Sequence, residues 1–176
     1  FRSWKRTNPW NSSFDDDTKW EPAESPTVND VAVILENLGP IEFNSNESIQ
    51  RMIYGSGICD LELNSYTLAI NANDDSLMIG HLEDIGFEGC EIGILNGTVI
   101  ADRVDISGVG TGAMYFDNGS VYASNGFILR NDGAMYGMGT IYGNVHNSGT
   151  HQIDNINYEF PGVVGDYYMT DQSTPG

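Results

Sequence analysis

The tetrapeptide Gly-Ala-Met-Tyr occurs twice in this chain, at residues 112–115 and again 21 residues later at 133–136. Behind the copies run two further matching pieces, Asn118-Gly119-Ser120-Val121-Tyr122-Ala123 and Met138-Gly139-Thr140-Ile141-Tyr142-Gly143. An earlier version, Asn96-Gly97-Thr98-Val99-Ile100-Ala101, precedes both. Short β-branched and aromatic runs, cut by glycine and repeated with a period of about 20 residues, indicate a solenoid of β-strands. One such repeat cannot bury its own apolar face. Like residues on successive coils, stacked about 4.8 Å apart, can share one core. Met114 with Met135, and Val121 with Ile141, are the expected core ladder positions. Corners require positive φ, which the Asn-Gly steps at 96, 118 and 125 supply. The fold expected is all-β, a right-handed parallel β-helix of about five or six coils.

Taken in order, residues 1–30 differ from the rest. They hold all three tryptophans, Trp4, Trp10 and Trp20, beside Lys5 and Arg6. Three readings stand for this segment: a cap laid over the open end of the solenoid, an arm that docks on a neighbouring molecule, or Trp-rich loops that stack on sugars. Residues 31–176 form the expected solenoid. Val31 to Leu35 and Ile41 to Phe43 are short and strand-like, whereas residues 44–52 are polar and read as a loop. Ile58 to Asn64 alternates at period two, the mark of a half-buried strand, and Thr67 to Ile70 follows. Gly57 to Asn64 aligns with Gly89 to Asn96 at equal length. Coils then start at 57, 89, 112, 133 and 149, with an insertion at 71–88 in the first.

Charge is the outlier in composition, at 7 basic against 25 acidic side chains. Residues 1–19 carry a net charge of +1, so the remaining chain carries −19. A surface this negative repels nucleic acid and anionic lipid, which removes both as partners. It favours cations or something basic, and the N-terminal segment is the nearest basic candidate. No apolar run approaches the ~18 residues that span a bilayer, so no membrane insertion is expected. Beginning at Phe1, the chain is read as having lost a leader peptide or as part of a longer protein.

Few residues suggest chemistry. Period two places Cys59 with Leu61 and Leu63, and Cys90 with Ile92 and Ile94, so both face inward on consecutive coils. They form either a disulfide or two buried thiols. Asn71, Asn73 and Asp75 match the first ligand positions of a calcium loop, but Ser76 replaces the required glycine and Glu83 falls one place too late. A polar corner accounts better for them; Ca²⁺ bound there, or at Asp15-Asp16-Asp17, is the alternative, and no other cofactor is expected. His146 and His151 read as corner residues. Nothing resembles a nucleophile with its base, so no enzyme is expected.

Gly139-Thr140-Ile141-Tyr142-Gly143-Asn144-Val145-His146-Asn147-Ser148-Gly149-Thr150 resembles the phrase G-T-L-x-G-N-V-x-N-S-G-T of β-helical bacterial surface proteins. These include autotransporter passenger-type repeats and planctomycete and PEP-CTERM-type exported proteins. The stretch Phe160 to Gln172 is similar to the tail that follows that phrase, although Ile153-Asp154-Asn155 replaces its first Pro-Gly. Phe14 to Trp20, with Pro26 and Asp30-Val31-Ala32, is similar to the N-terminal pattern of such proteins. The resemblance implies architecture and export, to the cell surface or beyond, and carries no catalytic residues. The expected role is a structural or adhesive solenoid that assembles with itself head to tail into a fibre or layer, the Trp/Lys/Arg arm making the contact. The competing expectation is a carbohydrate-active β-helix, a polysaccharide lyase or a module binding cell-surface polysaccharide, with Tyr115, Tyr122, Tyr136 and Tyr142 as platforms.

Overall fold

The structure, a computed structural model, describes residues 1–4, 12–35, 37–55, 57–73, 76–80, 90–107, 112–130, 133–148 and 162–169. It is a parallel β-solenoid whose coils have three sides. The first side stacks Ile41–Glu42, Gly57–Glu62, Cys90–Leu95 and the first halves of Gly112–Ala123 and Ala134–Tyr142. The second stacks Glu47–Ile49, Thr67–Ile70, Thr98–Ala101, the second halves of the same two long strands, and Gly162–Val164. The third runs from Arg2–Trp4 through Val31–Ile34, Arg51–Tyr54, Leu77–Ile79, Val104–Ser107, Phe127–Arg130 and Val145–Asn147 to Tyr167–Met169. Three inner turns (57–79, 90–107 and 112–130) pair on every side above and below, and the flanking turns pair in part. Complete coils are thus slightly fewer than the five or six expected.

The repeats lie directly above one another. Ala113, Met114 and Tyr115 pair with Ala134, Met135 and Tyr136, and Val121 pairs with Ile141. Met114, Val121 and Ile141 are fully buried and Met135 nearly so, all within one continuous core. Fully burying each such side chain is worth about 1.5–3 kcal/mol. The corner between the first and second sides is made by Asn64 and Ser65 in one coil and by Asn96 and Asn118 in the next two, all at positive φ. Asn118 is also the extra residue of a bulge between Asp117 and Gly119, which pair with the consecutive Met138 and Gly139.

Three sequence expectations change. Residues 44–52 are not a loop: Glu47–Ile49 and the start of Arg51–Tyr54 are strands, with Ile49 and Met52 buried beneath polar outward neighbours. Residues 71–88 are not wholly an insertion, since Leu77–Ile79 pairs with Arg51–Tyr54 and Val104–Ser107. Gly57 pairs with Cys90 rather than Gly89, while Thr67 pairs with Thr98. The earlier coil has the longer corner between its two strands, so one equal-length alignment cannot fit both sides.

The N-terminal segment belongs to the same stack. Arg2–Trp4 pairs parallel with Val31–Ile34, and Ser12–Ser13 with Ile41–Glu42. Trp20–Glu21 then crosses antiparallel on Arg2–Trp4 and closes that edge. Trp4 and Trp20 meet edge to face at 4.8 Å, Phe14 packs against Trp20, and Phe14 stacks on Phe43 of the next coil at 4.7 Å. The buried Trp20 indole donates from Nε1 to the Phe14 carbonyl at 2.8 Å. Together these rings form a lid on the core.

Candidate functional site

Because inward positions are filled by the ladders, anything the protein binds must meet the outward columns or an end of the stack, and the columns differ from side to side. On the first side Asp60, Gly93, Tyr115 and Tyr136 share one column and Ile58, Glu91, Ala113 and Ala134 the next. Gly93 lacks a side chain where Asp60 leans over it; a Cβ there would collide with the Asp60 carboxylate. Burial, then Glu91 and Asp117, raises the Asp60 carboxyl above the ordinary aspartate range. Burial, then Glu42 and Asp60, does the same for Glu62. The Tyr115 and Tyr136 rings lie 5.4 Å apart at 44°, and the Tyr136 hydroxyl donates to the Glu91 carboxylate.

The second side carries a hydroxyl column, Thr67, Thr98, Ser120 and Thr140, beside an apolar one, Ala69, Ile100, Tyr122 and Tyr142, which continues to Val164. Ile100, Tyr122 and Val164 are exposed. Tyr122 and Tyr142 are stacked face to face, with centroids 4.0 Å apart and planes within 2°. One face of each ring therefore covers one face of the other. A sugar stacks on a free ring face, so the two faces in mutual contact are closed to it.

On the third side the outward-facing Asp105 is buried, and Arg130 one coil later grips it with Nε at 3.1 Å and a terminal nitrogen at 2.9 Å. Sequence reading missed this rung-to-rung pair, although opposite charges one coil apart were its signal. Farther along the same side His146 stacks on Tyr168 at 4.8 Å.

The chain matches no protein-family model, and no curated protein or solved structure matches it.

Cys59 and Cys90 are both buried as thiols. Cys59 sits opposite Ile92 and Cys90 opposite Gly57, a diagonal of two residues between adjacent strands. That offset separates the Cα atoms by about 8 Å, beyond the reach of a disulfide. Burial pushes the Cys90 thiol up to about 12, so it stays protonated and unreactive at neutral pH. Asp16 caps a 3-10 turn, Asp17–Lys19, accepting from the Thr18 amide at 3.0 Å. Asp17 accepts from the Ser25 amide at 2.7 Å, and Asp15 accepts from the Ser13 hydroxyl. The acidic run is thus used in shaping its own loop. Asn71 donates to Ser48 at 2.6 Å across the stack, and Asn73 is exposed. Among the described residues no three His, Cys, Asp or Glu side chains converge on a point. Trp4 and Trp20 are buried in the lid. Lys5, Arg6, Trp10, Asp75 and His151 lie outside the described residues.

Proposed function

We propose that this chain is a non-enzymatic structural or adhesive β-solenoid of an extracellular surface, which associates with its own kind through its C-terminal end. The observation that carries this reading is the difference between the two ends. The third side at the N-terminal end is shut by an antiparallel strand and an aromatic lid. At the other end Gly162–Val164 and Tyr167–Met169 are paired on one side only among the described residues. Val164 is 57% exposed and Tyr168 46%. An apolar sheet edge of this kind is a template for another strand. Placement outside the cell rests on the resemblance of residues 139–150 to exported β-helical proteins.

The lid also bears on the form of assembly. A fibre needs the open rung of one molecule to meet a different surface on the next, whereas two open rungs meeting each other close into a pair. With Trp4 and Trp20 taken up internally, the contact we favour is rung on rung. Sedimentation over a range of protein and salt concentrations, with negative-stain imaging, tests it. We expect association that strengthens with salt, as repulsion between chains of net charge −18 is screened. Val164→Asp should abolish that association while leaving the fold intact. A chain that stays monomeric at high concentration and high salt would remove the proposal.

A further inference from the structure

On the second side the parallel register puts Tyr122 and Tyr142 in one outward column on adjacent coils. Their ring planes are parallel within 2° at a centroid distance of 4.0 Å, and Tyr122 is 42% exposed. We propose that Tyr122 and Tyr142 form an oxidative cross-linking site, where a peroxidase-type oxidant joins the two rings into a dityrosine that staples one coil to the next.

The chemistry balances within the pair and the oxidant. Each phenol gives up one electron and its hydroxyl proton, which leaves a phenoxyl radical with spin density on the oxygen and the ortho carbons. A carbon–carbon bond forms between an ortho carbon of each ring. The hydrogen on each of those carbons then passes through solvent to its own ring's oxygen, which restores two aromatic phenols. Hydrogen peroxide accepts the two electrons and two protons and becomes two molecules of water. The protein loses two hydrogen atoms and gains one bond.

Three features favour this pair. Holding two reactants side by side replaces a diffusional encounter with a fixed neighbour, and here the sheet itself does the holding. The hydrogen bond between the two hydroxyls keeps the Tyr122 phenol above its ordinary range, so the neutral form persists and the oxygens stay together. The chain's net charge of −18 keeps other copies away at low salt, so coupling within a molecule is favoured over coupling between molecules. The tyrosine pair on the first side lacks this arrangement: Tyr115 and Tyr136 are half-buried and inclined at 44°, with the Tyr136 hydroxyl donating to Glu91.

This proposal does not depend on end-to-end association, because it is read within a single molecule. The full chain is treated at low salt and low concentration with peroxidase and hydrogen peroxide, and the monomer is isolated. Trypsin cuts after Arg103 and Arg130, which places Tyr122 and Tyr142 on different peptides. We expect dityrosine fluorescence in the monomer and peptides 104–130 and 131–176 joined through Tyr122 and Tyr142. Tyr122→Phe and Tyr142→Phe each keep a ring in the stack and should drop the fluorescence to background. Tyr136→Phe should leave it unchanged. Dityrosine that persists in Tyr142→Phe, that arises in cross-linked oligomers alone, or that fails to form when free tyrosine is consumed would overturn the assignment.

Discussion

Trp20 shows how much of the fold's beginning depends on one side chain. It is fully buried, touches Trp4 and Phe14 with its ring, and supplies its indole N–H to the Phe14 carbonyl. Trp20→Ala removes the middle of the lid and should lower unfolding free energy by about 3–5 kcal/mol in urea titrations. An exposed docking tryptophan would give a change within about 0.5 kcal/mol. Composition made the three tryptophans conspicuous but could not say which way they face. Phe14, an equal partner in the lid, carried no signal beyond its place six residues before Trp20. Register is as hard to read at this scale. Cys59 and Cys90 both look inward from their alternation, yet whether they meet depends on a difference in corner length that alternation does not record.

Among the elements, the long strands Gly112–Ala123 and Ala134–Tyr142 are the most legible part of the chain. Near-identical residues occupy near-identical depths there, so the sequence copy and the spatial neighbour coincide. The glycine at the bend of the second strand has a steric role. Gly137 has φ +101, and a Cβ there would come within 2.2 Å of the Phe116 carbonyl oxygen on the coil below. Gly137→Ala should therefore cost about 1–3 kcal/mol, measured by the same titrations, with the strain concentrated in one bend. Strands such as Glu47–Ile49 were hidden for the opposite reason. A three-residue strand with one buried side chain leaves a period-two pattern too short to recognise, and its polar neighbours look like a loop.

For the whole molecule, the sign of the charge predicts how stability follows pH. Asp60 and Glu62 have raised carboxyls, so their ionisation disfavours the folded state. That cost is present above their folded values and fades as they take up protons on the way down to the ordinary range of about pH 4. Asp16, Asp17 and Asp30 have lowered carboxyls, owing first to hydrogen bonds from Thr18, Ser25 and Thr27 respectively. Their contribution is complete above the ordinary aspartate value and is lost as pH falls through their folded values. Thermal unfolding should thus rise from neutral toward mildly acidic pH and fall in stronger acid. Asp60→Asn should flatten the rising limb; an unchanged limb would place its origin elsewhere on the surface.

A stack with a lid at one end has a direction. Its first coil is fixed by Trp4, Phe14, Trp20 and Phe43, which fit one height and no other. Extra copies of the unit could be spliced in beyond Asn147 without disturbing those rings, whereas any splice ahead of Val31 would have to rebuild them. Length in this architecture is therefore adjustable from one terminus, like a telescope whose eyepiece is glued in place.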